Sequence, residues 1–218
     1  MRSVDPIHKN TYGRLINPSE QINIGPISTS RTEIIDIIKA WVAISFAFAL
    51  LMEGGVFNLQ FITFFMVASL SVGAGFIAHE LSHKLVAQRY GCQAEFRSWD
   101  QMLILAVIMA FVGFIIAAPG AVMISGPVGV RRNGKISAAG SIANLLVAAI
   151  FLVILLLGPG GVLLLIAKYG LYINSWLALF NMIPFAMFDG KKVIEWSKTV
   201  YFSIVGISLA FVVLSGLI

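Results

Sequence analysis

Apolar residues in this chain fall in long blocks separated by short polar intervals, the pattern of membrane-crossing helices rather than of one-faced soluble helices. Residues 1–32 are polar, carry Pro6, Pro18 and Pro26, and alternate only at Ile22 and Ile24, which predicts an N-terminal arm with one short strand. Ser30-Arg31-Thr32-Glu33 fits a capping box in which Glu33 reaches back to the helix start, ahead of a first span at 34–52. Glu53-Gly54-Gly55 turns the chain, and a second helix is predicted over about 57–90, stopped by Gly91. A polar interval at 93–101 leads to an apolar block at 102–124, a basic loop with Arg131, Arg132 and Lys135, and an apolar helix at 137–157. After the turn Gly158-Pro159-Gly160-Gly161, another span covers 162–183 and breaks at Pro184, and a last helix covers about 191–218.

Composition agrees with the pattern: 59% of the residues are hydrophobic and 11% charged, with a mean hydropathy of +0.93. The expected fold is an all-α polytopic membrane protein with about five or six hydrophobic helices and a small membrane-associated β element. Residues 33–218 form one transmembrane domain behind the arm at 1–32. The lipid bilayer is the expected surrounding, nothing calls for a nucleic-acid partner, and no segment specifies an oligomeric state. The single cysteine, Cys92, excludes an internal disulfide and a Cys-x-x-Cys metal site and reads as packing. No apolar run precedes Ile34, so the first hydrophobic helix is expected to direct insertion itself.

Inside the second hydrophobic block stands His79-Glu80-Leu81-Ser82-His83. On a helix the two imidazoles point the same way and can grip one divalent metal, with Glu80 beside them. Ionisable groups at membrane depth are costly, so such a cluster asks for a functional explanation first. A catalytic zinc commonly has three protein ligands and an open position, so a third ligand is needed. The remaining histidine, His8, lies in the polar arm. Asp189 is the strongest choice, because it follows the break at Asn181-Met182-Ile183-Pro184 and precedes Gly190, which tolerates a tight backbone. The expected cofactor is one zinc ion held by His79, His83 and Asp189. Glu80 is the expected base, taking a proton from water and returning one to the leaving amine.

Charge distribution orients the chain. Arg2, Lys9, Arg14 and Arg31 precede the first span, the following turn has only Glu53, and Lys84, Arg89 and Arg97 follow the motif. The N-terminus and the active-site opening are therefore expected on the cytoplasmic side. A simple crossing by 102–124 would put Arg131, Arg132, Lys135, Lys191 and Lys192 outside and Asp189 on the face opposite His79. A re-entrant helix–strand at 102–125 avoids both: 102–117 enters as a helix and 118–125 returns extended after Pro119-Gly120. Sixteen helical residues reach roughly 24 Å at ~1.5 Å each, and eight extended ones return a similar distance at ~3.3 Å each. An extended segment at that depth must be covered by protein or line a cavity.

Three separated elements resemble the site-2 protease family of intramembrane zinc metalloproteases: His79-Glu80-x-x-His83, the glycine and asparagine of Gly140-Ser141-Ile142-Ala143-Asn144, and Asn181-x-x-Pro184-x-x-x-x-Asp189-Gly190. The resemblance covers roughly residues 20–200 and departs from the family at Ser141, where proline is usual. It implies His79, His83 and Asp189 as zinc ligands, Glu80 as base, and Asn144 and Asn181 as polar groups holding substrate backbone or the developing oxyanion. The implied substrate is a single-span membrane protein, whose helix must unwind before hydrolysis. An exposed strand edge at Ala118, Pro119, Gly120, Ala121, Val122 and Met123 is the candidate to hold the opened segment by strand addition. Water would reach the metal near Lys84 or Lys191.

Plainer readings stand beside these. Asn181 could satisfy backbone freed by Pro184, and Asn144 could bond between helices. Gly73, Gly75 and Ala78 read as close-packing positions, Lys168 as a snorkelling cation, and Arg131, Arg132 and Lys135 as a topology signal. Two other function classes use the same residues: a membrane zinc or ion transporter, which would want more ligands along a path than this one cluster, and a catalytically silent zinc-binding protein of the same fold.

Overall fold

The computed structural model describes residues 21–25, 27–115, 119–185 and 188–218. Ala118 of the expected substrate edge, His8 and the arm's first charges lie outside the described residues. The elements run Gln21–Ile24 (β1), Ile27–Ser30 (β2), Arg31–Met52 (α1), Leu59–Arg89 (α2), Gln93–Ser98 (β3), Asp100–Phe111 (α3), Gly120–Ser125 (β4), Val130–Leu156 (α4), Gly161–Asn181 (α5), Asp189–Trp196 (α6) and Lys198–Leu217 (α7). Of these, α1, α2, α4, α5 and α7 are long and apolar enough to cross a membrane, and α3 is a shorter apolar helix. The chain is thus a multi-pass helical membrane protein with two small two-stranded antiparallel sheets, β1–β2 and β3–β4.

Glycines end the helices as the pattern requires. At Gly91 (φ +75°) the amides of Gly91 and Cys92 bond back to the carbonyls of Gln88 and Ala87, the Schellman pattern that only a left-handed residue completes easily. At 31 residues α2 is about 46 Å long, longer than the roughly 30 Å hydrocarbon layer. Neighbouring helices close on α2 at small residues. A Cβ on Gly73 would fall 2.1 Å from Trp41 Nε1 on α1, and one on Gly75 would fall 1.8 Å from Asn174 Oδ1 on α5.

The capping box forms by half. Ser30 Oγ accepts from the Glu33 amide at 3.1 Å, but the Glu33 carboxylate does not turn back to the helix start. It is wholly buried, ion-paired to Lys84 on α2, and accepts from Thr29 Oγ1 at 2.7 Å and from the Phe96 amide of β3 at 2.9 Å. A charged ammonium is a stronger partner for a buried carboxylate than a single neutral amide. Lys84 is therefore no part of a water route, and Arg97, which pairs with buried Glu95, is likewise engaged inside the protein rather than displayed as a topology charge.

The segment after β3 also differs from expectation. The helical limb is Asp100–Phe111, about 18 Å rather than 24 Å. Gly113 (φ +83°) stops it, with the Gly113 and Phe114 amides bonding back to Ala110 and Met109. It runs along α1 in the same sense, from the Lys39–Asp100 ion pair (2.6 Å) to the cluster of Ala47, Leu50 and Ala110. By Pro119 the chain is back beside its start, for the Trp99 amide donates to Pro119 O at 3.0 Å. The return is thus complete before β4, which is not a returning limb but an antiparallel partner of β3 with Gln93 opposite Ser125. Single cysteines replacing the exposed Arg89 and Arg132 are expected to react with an impermeant maleimide from the same side of sealed vesicles; labelling from opposite sides would require 93–129 to cross.

Candidate metal centre

Two helices and a helix break build the site. His79 and His83 lie one turn apart on α2, with His79 Nε2 3.0 Å from His83 Nε2. Asp189, the first residue of α6, puts Oδ2 3.0 Å from His83 Nε2 and 3.4 Å from His79 Nε2. All three residues are buried. Two glycines admit this convergence. A Cβ on Gly140 of α4 would lie 2.6 Å from both imidazoles, and one on Gly190 would lie 2.2 Å from Met182 O, so α6 starts directly against the end of α5. Pro184 cannot continue the α5 ladder, which frees the chain to make that approach.

The outer ring nitrogens are both engaged. His83 Nδ1 lies 2.8 Å from the Ile136 carbonyl, an acceptor only, so its proton sits on Nδ1. His79 Nδ1 donates to Asn144 Oδ1 at 3.0 Å. Each Nε2 is left as a lone pair turned toward the other and toward a carboxylate oxygen. Three such donors repel unless a cation or a shared proton stands among them. Their separations, 3.0, 3.0 and 3.4 Å, match the edge of about 3.3 Å in a tetrahedron with metal–ligand bonds of ~2.0–2.1 Å. Histidine ligands whose second nitrogen donates to a carbonyl or amide oxygen are the usual support for a divalent metal. The donor set fits zinc.

Asn144 therefore differs from the expected substrate contact. It is buried on α4, its side-chain oxygen orients His79, and it does not border the cleft beside the ligands. That cleft, about 140 Å³, is lined by His79, Glu80, His83, Asn133, Ile136, Ser137, Asn181, Asp189 and Lys192 and by Gly120, Ala121, Val122 and Ile124 of β4. Asn181 borders it with one amide proton donated to Leu177 O at 2.9 Å. That carbonyl is not the one Pro184 leaves without its helical donor, which is Phe180 O and accepts from Ile183 instead. The Met123 side chain does not line the cleft. The cation at the cleft is Lys192 rather than Lys84 or Lys191, its Nζ 3.5 Å from Asp189 Oδ1. The i, i+3 spacing from Asp189 was the available signal for it.

The β3–β4 sheet has two unlike edges. The Phe96 and Ser98 amides point to Glu33 (2.9 Å) and Asp36 (3.4 Å), and Ala94 O accepts from Gln88 Nε2 at 3.1 Å. These residues bond away from β4, so the pairs Ala94↔Ile124, Phe96↔Val122 and Ser98↔Gly120 are the non-hydrogen-bonded ones. The Trp99–Pro119 bond continues the same alternation. On β4 the backbone groups of Gly120, Val122 and Ile124 accordingly point away from β3, on the strand that borders the cleft. Among the described residues no strand lies beside that edge.

No family model matches the chain, and no solved structure matches it. It is similar to the Methanocaldococcus jannaschii protein named "Putative zinc metalloprotease MJ0611", at 40% identity over 183 residues that cover 83% of this chain and 92% of that one.

Replacing Asn144 with leucine frees the His79 ring, and zinc affinity measured by chelator competition is expected to fall about 10- to 100-fold. Gly140→Ala, which forces the imidazoles aside, is expected to weaken binding at least as far, and wild-type affinity in both variants would exclude this cluster as the zinc site.

Proposed function

Because the chain belongs to the family of that zinc metalloprotease, and because its three converging ligands lie beside a carboxylate and an open strand edge among five membrane-length helices, we propose that it is an intramembrane zinc metalloprotease of the site-2 type. Its substrates on this reading are single-span membrane proteins, cut within their transmembrane segments. The observation that carries the proposal is the meeting of His79 Nε2, His83 Nε2 and Asp189 Oδ2 within 3.4 Å from segments more than a hundred residues apart.

His79, His83 and Asp189 would hold one zinc ion, which would supply Lewis-acid polarisation and a lowered pKa for water. Lys192 faces Asp189 Oδ1, and Oδ2 is turned to the two imidazoles. Asn144 and the Ile136 carbonyl hold the imidazoles in the tautomer that ligation needs. Glu80, which borders the cleft one residue from His79, takes a proton from the attacking water and delivers one to the leaving amine nitrogen. Asn181 keeps an amide proton beyond its bond to Leu177, and it donates this to the carbonyl oxygen as negative charge develops there.

A transmembrane helix hides its carbonyls in its own hydrogen bonds, so the segment to be cut must be held extended. The free edge of β4 supports that role: Val122 offers both an amide and a carbonyl, flanked at two-residue spacing by Gly120 and Ile124. The cleft opens on the cytoplasmic side in this proposal. Support comes from Arg89, Arg131, Arg132, Lys191 and Lys198, exposed at the same end of the bundle.

Purified protein incubated with a panel of single-span substrates is expected to release products that a chelator abolishes and zinc restores. A zinc transporter or a silent zinc-binding protein of the same fold would bind the metal and release none. Glu80→Gln is expected to retain zinc and lose about 10²- to 10⁴-fold in turnover, and undiminished cleavage would remove Glu80 from the mechanism. Val122→Pro removes an outward amide while leaving every bond to β3, and proline keeps an apolar side chain against the neighbouring core, so folding and zinc binding should survive while cleavage falls about tenfold or more; Met123→Pro, which breaks a bond to β3, should destabilise the protein far more.

A further inference from the structure

One wholly buried ionic group has no part in this chemistry. Glu33 lies between the metal-bearing helix and the sheet, and its two oxygens serve different elements. Oε2 takes the Lys84 ammonium of α2 and the Thr29 hydroxyl, and Oε1 takes the Phe96 amide of β3. Lys84 directly follows His83, and Phe96 stands opposite Val122 across the sheet. A single carboxylate thus joins a metal-ligating helix turn to the strand pair whose far edge borders the cleft. The link consists of one ion pair, one hydrogen bond and one strand pairing.

Two other side chains close the same edge of β3. Gln88, one turn further along α2 than Lys84, donates to Ala94 O at 3.1 Å nearer the end of the sheet, and Asp36 of α1 accepts from the Ser98 amide at 3.4 Å and from its hydroxyl at 3.1 Å; neither meets β3 at Phe96, the residue opposite Val122. Stability alone does not call for an ion pair here, since well-packed apolar residues often replace buried pairs without loss. What apolar residues cannot supply is a directional acceptor that fixes the Phe96 amide at a set distance from α2.

We propose that the Glu33–Lys84 pair is a positioning device: it sets the height and register of the β4 edge against the metal helix and so selects which peptide bond of an extended substrate is presented. The proposal rests on the metalloprotease reading.

Three variants test it in the zinc-loaded full chain. Glu33→Asp keeps the countercharge for Lys84 and draws the acceptor back by one methylene. Glu33→Met with Lys84→Met removes acceptor and charges together, so no lone buried ion is left to unfold the protein. Glu33→Gln with Lys84→Met removes the charges but keeps an acceptor for Phe96. The first two are expected to bind zinc as the wild type does, to raise KM about tenfold with little change in kcat, and to give products cut at neighbouring bonds as read by mass spectrometry. The third is expected to restore the wild-type cut. Hydrogen exchange reads the coupling without substrate: the amides of Phe96, Ala121 and Met123 should exchange about tenfold faster in the first two variants and not in the third. Wild-type cleavage positions and KM in Glu33→Asp and in the double methionine variant, or unchanged exchange at those amides, overturn the proposal. A wild-type chain that cuts nothing while showing the expected exchange pattern would overturn the protease reading alone.

Discussion

Two imidazoles and a carboxylate can meet at one point in this bundle only where backbones come closer than ordinary side chains permit, and the rest of the structure is arranged around that approach. Gly140 lets α4 sit against both rings of α2, and Gly190 lets α6 begin against the last turn of α5. A glycine inside a helix costs about 1 kcal/mol relative to alanine, less than the loss from a misplaced ligand at a structural or catalytic metal. The approach also brings the second layer into place, because the same α4 that carries Gly140 supplies Asn144 Oδ1 and the Ile136 carbonyl to the outer ring nitrogens. Position, tautomer and orientation of both imidazoles therefore follow from one helix–helix contact.

Extended backbone beside membrane-spanning helices poses a second constraint, since lipid offers no partners for its amides and carbonyls. Among the described residues, one edge of the sheet is satisfied and the other is not. Glu33 and Asp36 from α1 and Gln88 from α2 act as a substitute strand for β3, while β4 turns its free groups toward the cleft. Burying Glu33 with Lys84 carries a desolvation cost of several kcal/mol per ion, and removing one partner would cost about 3–5 kcal/mol. Such a pair persists where its hydrogen bonds are all made, and those of Glu33 are.

The spans and the residues of the converging cluster, His79, His83 and Asp189, were legible in the sequence because both rest on strong, local signals. Apolar blocks of membrane length admit few alternatives, and carboxylates and histidines inside them are too costly to be incidental. Gly91 as a helix stop and Gly73 and Gly75 as packing positions were legible for the same reason. The partners of Glu33, Lys84 and Asn144 were not. Ser30-x-x-Glu33 looks like a complete capping box from neighbouring residues, yet its carboxylate answers to a lysine 51 positions away. Lys84 and Arg97 count equally in a loop-charge argument whether exposed or paired, and only the fold reveals that both are paired. The length of α3 was hidden by averaging, since a single glycine at 113 scarcely alters the hydropathy of an apolar block but ends the helix by its conformation.

The unequal edges of the β3–β4 sheet join these threads. A sheet satisfied on both edges would be a stable wall with nothing to offer an extended chain, and one open on both edges would not persist among helices in lipid. Polar side chains close β3, β4 has no third strand beside it among the described residues, and the alternation of pairs decides which of its groups face outward: those of Gly120, Val122 and Ile124. These residues share the cleft with His79, Glu80, His83 and Asp189. Among the described residues, the outward edge of β4 and the converging lone pairs of His79, His83 and Asp189 thus coincide in one place, because the closure of β3 and the approach of α4 and α6 to α2 both fix the same cleft.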